Sequence, residues 1–471
     1  MFDYEQVVKA NVFIRLTNNE RGVMHMKSKR KFMKKEAIWE RKKPEYIPYK
    51  DLKGNTLSED EILFCNDEIM RKTKQKKFAI WGEDDKEKEN KDQKKPKFYT
   101  VHSPGVKLNY DRDSNFPVSL VTPEGELMNL KISAKTKETL PIFAGNAEVT
   151  DIVVVGAPSV AKTTYLTQLC DPCFHDLLGQ SLRCSVQEAL YADTTAQAFY
   201  QDLITDFKEG KCAPPTVYSP DTITPFIYYI SYRDDDDEIR HRILRLHDVD
   251  GEQCLNLNHK SAIFNCADIY LMVSAEELAG NKNSQQYYRR ILNQVLQNIS
   301  VRGNLKDTRI TVVITKADLL KQQCDPVLEP ALTNSIEFCD GVFYAKSNIE
   351  GFSYKEFEDR EKAIREFLKK NYTSFYLMLM NNLPETVHFT MIASIGEKTD
   401  ENNRFSEKSY KPFCIDMPIA RTLADLGVAR IAVEEDSDAA PKEEKIPGGG
   451  FFKKLKEKLK IPEDDEFSDE F

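Results

Sequence analysis

Apolar residues in the middle and later parts of the chain gather into short strand-like runs. These runs cover residues 151–155, 226–232, 241–247, 268–274, 309–314 and 387–393. Between them, apolar residues recur three and four positions apart. Buried strands that alternate with amphipathic helices predict an α/β fold, with a mostly parallel sheet covered by helices. One stretch departs from this rhythm. "TPFIYYISYRDDDDEIRHRILRLHD" is two strand-like runs joined by an acidic turn at Asp234–Asp237. That is a hairpin, and it predicts one antiparallel edge strand.

Outside that region the pattern is weaker. Residues 1–82 mix basic and aromatic residues without a clean period, and 26–43 read as one basic helix. Residues 83–97, "EDDKEKENKDQKKPK", hold no apolar residue and read as a linker that cannot bury a face. Residues 98–148 carry turn signals at Ser103–Pro104–Gly105 and Pro123–Glu124–Gly125, which suggest a few antiparallel strands. The α/β pattern then occupies 149–430, and an acidic, Gly- and Pro-rich linker spans 431–450. Last comes 451–471, where Phe451, Phe452, Leu455 and Leu459 fall on one face of a lysine-rich helix before an acidic end. Such a helix suits docking on a protein partner, on a membrane surface or on its own domain.

Composition narrows the function classes. The 471 residues suggest two or three units, and 41% hydrophobic content supports a substantial core. The net charge of −9 argues against a general nucleic-acid binder. The charge is uneven, since residues 1–50 hold 13 Lys and Arg against 6 Asp and Glu. A basic arm on an acidic body leaves nucleic acid, an anionic membrane and an acidic partner open, with nucleic acid the weakest of the three. No leader pattern opens the chain and no eighteen-residue apolar run crosses it, so a cytoplasmic protein without a membrane span is expected. Ten scattered cysteines fit reduced thiols. Cys170, Cys173, His175 and Cys184 lie close enough in sequence to suggest zinc, though ordinary thiols at helix ends are the plainer reading.

The candidate chemistry begins at "DIVVVGAPSVAKTTYL", a strand running through a loop into a helix. Its loop, Gly156, Ala157, Pro158, Ser159, Val160 and Ala161, leads to Lys162, Thr163 and Thr164. Backbone N–H groups in such a loop, with the positive helix end, cradle phosphates. Lys162 would reach the β- and γ-phosphates and the Thr163 hydroxyl would ligate Mg²⁺. Next, "RLHDVDGEQ" ends a strand with Asp248 and Gly251. The carboxylate suits the magnesium through water, and the glycine N–H suits a γ-phosphate. "VVITKADLL" then ends a strand in Lys316 and Asp318. The Asp318 carboxylate can accept from N1 and N2 of guanine, a donor pair adenine lacks, while the Lys316 stem covers the base. Finally "VHFTMIASIG" places Ala393 and Ser394 after a strand, where their amides suit the guanine O6. A switch threonine is expected in "GKCAPPTVYSPDTITPF"; Thr216 is preferred over Thr222 and Thr224 as a further magnesium ligand.

The order and spacing of these segments resemble a TRAFAC-class P-loop GTPase, and within that class the DO-GTPase (double-GTPase) families of bacterial conflict-type gene systems. The resemblance rests on "VVVGAPSVAKTTYL", "GKCAPPT", "LHDVDGE", "ADIYLMVSAEEL", "VVITKADLL" and "HFTMIASIG", and nothing in residues 1–100 carries it. It implies a P-loop NTPase fold, GTP and GDP as ligands, and a molecular switch reset by slow Mg²⁺-dependent hydrolysis. By analogy it also implies a place in a multiprotein antiviral defence assembly. Two departures stand out. Ala161 occupies a position where glycine is usual, which predicts weakened binding rather than none. Glu252 stands where Ras-like enzymes carry a glutamine that orients the attacking water, which predicts slow turnover. Arg240, Arg242 and Arg245 read as surface residues of a strand. The rival reading is a GTPase fold retained as a protein-interaction scaffold.

Overall fold

The computed structural model describes residues 46–51, 55–66, 97–111, 116–157, 159–188, 194–212, 225–234, 238–250, 266–278, 308–321, 326–328, 336–339, 342–345, 351–384, 386–396, 399–402, 404–406 and 410–432, with isolated positions between 286 and 297. All of them lie in one compact unit, Glu45–Phe471. The basic arm, the charged linker as far as residue 96 and the C-terminal helix fall outside the described residues.

A seven-stranded sheet carries the fold. Its strands are β1 (Glu148–Gly156), β2 (Ser185–Glu188), β3 (Phe226–Arg233), β4 (Ile239–Asp250), β5 (Asp268–Ser274), β6 (Arg309–Thr315) and β7 (His388–Met391). Their spatial order is β2-β3-β4-β1-β5-β6-β7. β4, β1, β5, β6 and β7 run parallel. All seven residues of β5 are buried, as expected of a strand with both faces covered. Among the described residues six helices of eight residues or more pack around the sheet: α1 (Lys162–Leu169), α2 (Pro172–Leu182), α3 (Thr194–Lys208), α4 (Tyr354–Asn371), α5 (Thr373–Met380) and α6 (Met417–Asp425).

The hairpin expected from the sequence is β3–β4, paired antiparallel from Phe226↔Leu246 to Arg233↔Ile239. The expectation of an antiparallel edge strand needs correction. β2 pairs antiparallel outside β3, so the reversed strand lies inside the sheet. The sequence hides β2 because "SVQE" is short and holds a single aliphatic residue.

Before the sheet lie three small antiparallel pieces. Tyr49–Lys50 pairs with Thr56–Leu57. Ile62–Cys65, Leu130–Ser133 and Thr139–Leu140 form one three-stranded sheet, and Lys107–Tyr110, Pro117–Val121 and Leu127–Met128 form another. Tyr49, Leu57, Leu140 and Ala144 pack against Ile227, Tyr229 and Ile243 of the main sheet.

A buried ionic cluster stitches the same seam. Arg245, 1% exposed, donates to both carboxylate oxygens of Asp151 at 2.7 Å. The guanidinium also donates to the Lys50 carbonyl at 2.8 Å, and His247 Nε2 donates to Asp151 at 2.8 Å. Arg245 is therefore a core residue and not a surface one. Arg242 is half-buried against Thr150 and Glu148, and only Arg240 is exposed. Burial by itself would raise the Asp151 carboxyl; the His247 hydrogen bond and the Arg245 guanidinium outweigh it and hold the group well below the usual carboxylate range.

Lys131 is the second buried charge. It donates to the Ala144 carbonyl at 3.3 Å and lies 4.6 Å from the Phe116 ring centroid. Burial pushes its ammonium down to about 7. The unfolded chain keeps its proton up to about pH 10.4. Between those values the unfolded state binds more protons, so stability rises with pH. Denaturant melts at pH 7, 8 and 9 should show that rise in the wild type and a flatter profile in Lys131→Met. Equal profiles would mean that Lys131 is solvated.

Candidate nucleotide site

The site gathers at the carboxyl ends of the parallel strands. The chain leaves β1 to build β2–β4 on one side and then returns to build β5–β7 on the other. Ligand crevices in open α/β sheets form at such a switch point. The loop after β1 lies there.

Close packing shapes the loop's entry. A Cβ on Gly156 would stand 2.6 Å from the Met272 carbonyl oxygen and 2.9 Å from Val160 Cγ2, so only glycine fits. Two residues on the way to α1 take left-handed backbone, Ser159 at φ 64° and Ala161 at φ 65°. Ala161 thus adopts the conformation that a glycine would hold there at no steric cost. The Lys162 ammonium turns back and donates to the Gly156 and Ala157 carbonyls, each at 3.0 Å. Thr163, in the first turn of α1, donates its hydroxyl to Asp248 Oδ2 at 2.7 Å. A hydroxyl and a carboxylate oxygen, 85 residues apart in sequence, meet beside a helix N-terminus. These are hard oxygen donors of the kind magnesium takes.

The second half of the site is built on β6 and β7. Ser274 and Thr315 are paired in register, and Lys316 follows with φ 54°. Its ammonium meets the Glu276 carboxylate at 2.7 Å. Asp318, half-buried, opens the short helix Asp318–Lys321. The segment is tied to the end of β7 because Ala317 N–H donates to the Ile392 carbonyl at 3.1 Å. That contact sets Ala393 and Ser394 beside 316–318. Ala393 N–H, however, donates to the Phe413 carbonyl at 3.1 Å. Ala393 is thereby withdrawn as a donor to a base. The Ser394 N–H has no partner among the described residues.

Of the remaining sequence candidates, Ala157, Ser159, Val160 and Thr164 lie in or just after the loop. Pro158, Thr216, Gly251 and Glu252 fall outside the described residues. Among the described residues no cluster of three or more His, Cys, Asp or Glu side chains suits a metal. Cys170 is buried with its sulfur 3.6 Å from the Tyr228 hydroxyl, and burial pushes the Cys184 thiol up to about 12. Sequence reasoning does not single out Glu276 or Gln168, which donates from α1 to the Ser394 carbonyl and to the Tyr410 hydroxyl. A polar amide inside the apolar run "YLTQLC" was the available signal.

Residues 151–372 match the family described as Double-GTPase 2. A comparison with curated proteins finds no match. Among solved structures, the signal recognition particle receptor SRb-GTP/SRX complex from Chaetomium thermophilum is similar at 12% identity and a TM-score of 0.21, over 53% of this chain and 94% of that one. No helix among the described residues is long and apolar enough to cross a membrane.

The left-handed turn has a measurable cost. It disfavours an L residue by about 1–2 kcal/mol, while glycine loses about 0.5–1 kcal/mol more chain entropy on folding. Ala161→Gly should therefore raise the melting midpoint slightly, by about 1 °C or less for a chain of this length. A lower midpoint in calorimetric scans would place Ala161 outside the left-handed region.

Proposed function

We propose that the protein, whose residues 151–372 match the double-GTPase family, is a GTP-binding molecular switch with slow, magnesium-dependent hydrolysis. The observation that carries the reading is the pairing of Thr163 with Asp248 on the same sheet edge as Lys316, Asp318 and Ser394. A magnesium-bound phosphate end and a guanine-reading end then share one crevice. Lys162 would exchange its two loop carbonyls for phosphate oxygens. Thr163 would ligate Mg²⁺ directly and Asp248 through water, with Thr216 as a further ligand. When bound, the ion would offset the charge that gathers on the β- and γ-phosphates.

Hydrolysis would proceed by water attack on the γ-phosphorus. The bond to the β–γ bridging oxygen breaks, GDP leaves with that oxygen, and inorganic phosphate carries the water oxygen. Glu252 would accept a hydrogen bond from the attacking water. Its negative charge beside the γ-phosphate makes the step slow. Ordering and release of the segments around Thr216 and Gly251 would report the nucleotide state to a protein partner. The family resemblance supports a role in a cytoplasmic bacterial defence assembly.

A second reading, a scaffold that has lost its nucleotide, is favoured by Ala161 and by Glu252. Both ends of the site keep their charged groups, which a scaffold has no physical reason to retain.

Calorimetric titration with GTP, GDP and ATP in magnesium separates the two. The switch reading expects binding of GTP and GDP but not ATP. It expects Asp318→Ala to remove that preference, since a charged hydrogen-bond pair is worth about 1.5–3 kcal/mol. It expects Ala161→Gly to bind more tightly. Absence of binding in both the wild type and Ala161→Gly would establish the scaffold. Phosphate release under single-turnover conditions should be slow and should speed up in Glu252→Gln.

A further inference from the structure

Gln168 sits where the helix of the phosphate side meets the loop of the guanine side. It lies in the last turn of α1 and is 1% exposed. Its Nε2 donates to the Ser394 carbonyl and, at 2.8 Å, to the Tyr410 hydroxyl, 226 and 242 residues further along the chain. Both amide hydrogens are thereby used. A buried side chain this committed at both ends holds its partners in place.

What it holds is a peptide plane. The Ser394 carbonyl shares its plane with the Ile395 N–H, so fixing the oxygen fixes the direction of that N–H. The preceding plane is fixed independently, because the Ala393 carbonyl accepts from Phe413 N–H at 3.0 Å. That sets the direction of the Ser394 N–H. Two successive amides are then held, and neither has a hydrogen-bond partner among the described residues. The Ser394 hydroxyl and Gln168 Oε1, both buried, also find no partner among the described residues. Buried polar groups are seldom left unpaired without a reason. Two such buried groups and two open amides around one loop suit a polar ligand edge brought from outside the chain. Consecutive amides of this kind favour an oxygen acceptor.

We propose that Gln168 is the positioning residue for base recognition, holding the Ser394–Ile395 peptide so that its amides receive the 6-oxo group of a guanine. The inference rests on the guanine-nucleotide reading above. Gln168 touches neither base nor phosphate in this arrangement. It acts through the loop, and its loss should weaken one edge contact while sparing the phosphate side.

The test compares GDP with 2-aminopurine riboside 5′-diphosphate, which has the same phosphates and ribose but no 6-oxo group. Calorimetric titrations in magnesium would use the full chain, wild type and Gln168→Leu. Wild type should prefer GDP. Gln168→Leu should lose GDP affinity by about fivefold while its affinity for the analogue moves by less than about twofold. Gln168→Glu places an acceptor against the Ser394 carbonyl and should lose at least as much. If Gln168→Leu does not fold, Tyr410→Phe removes one of the two Nε2 partners and should narrow the same ratio by a smaller factor. Equal losses for both nucleotides, or an unchanged ratio, would overturn the positioning role and leave the switch reading intact. A wild type that binds both nucleotides equally would overturn it too. A wild type that binds neither would overturn the guanine reading itself, and this inference with it.

Discussion

The backbone of Gly156 runs against Met272, and the sheet's carboxyl edge is arranged around that contact. The strand partners leave no room for a side chain, since a Cβ would stand 2.6 Å from a carbonyl oxygen. β1 is therefore flanked closely by β4 and β5 at its last residue, with Asp250 and Met272 both in register with Gly156. The chain must leave upward and turn within a few residues into α1. Left-handed backbone at Ser159 and Ala161 makes that turn. The same tightness buries Lys162, which is 8% exposed. An ammonium this buried needs acceptors, and the loop's own carbonyls provide two. Thr163 is carried to Asp248 by the same turn, because α1 begins where the loop ends.

The opposite end of the sheet obeys a different constraint. β1 and β4 bring Asp151, Arg245 and His247 together inside the protein, where unpaired charges would be costly. The cluster is satisfied only with help from the Lys50 carbonyl and, at 3.4 Å, the Tyr49 hydroxyl. The small strand pair of residues 49–57 thus completes the sheet electrostatically as well as covering apolar surface. His247 and Asp248 are neighbours on β4. One joins the cluster at the seam and the other joins Thr163 at the site. A single strand therefore carries both the fold's deepest ion pair and its metal-type oxygen pair.

Much of this was legible in the sequence, for physical reasons that differ by element. Strands such as "DIYLMVS" and "RITVVIT" announced themselves because a parallel strand buried on both faces is apolar at nearly every position. The loop at 156–163 and the segment at 315–318 stood out because each follows an apolar run with a fixed set of small and charged residues at a strand end. β2 was hidden because one aliphatic residue in four carries no period. Arg245 was misplaced because an arginine alternating with apolar residues looks the same whether it faces water or a buried carboxylate. Its partner, Asp151, lies 94 residues away. Gln168 was missed for the same reason: a buried amide is defined by partners more than two hundred residues distant. Ala393 shows the converse limit. The motif placed the loop, but which amide remains open depends on Phe413, which no local pattern includes.

Ala161 gains a different meaning from its backbone. Read from sequence, the extra methyl group is an obstacle to phosphate. In the structure it sits on a left-handed residue whose turn has the shape that glycine would give it. The cost of the substitution then falls first on the stability of the loop. Any cost in affinity depends on where the methyl points relative to a bound phosphate. A loop that keeps its shape keeps Lys162 on its two carbonyls and Thr163 on Asp248. The departure from the usual pattern is thus compatible with a working phosphate loop.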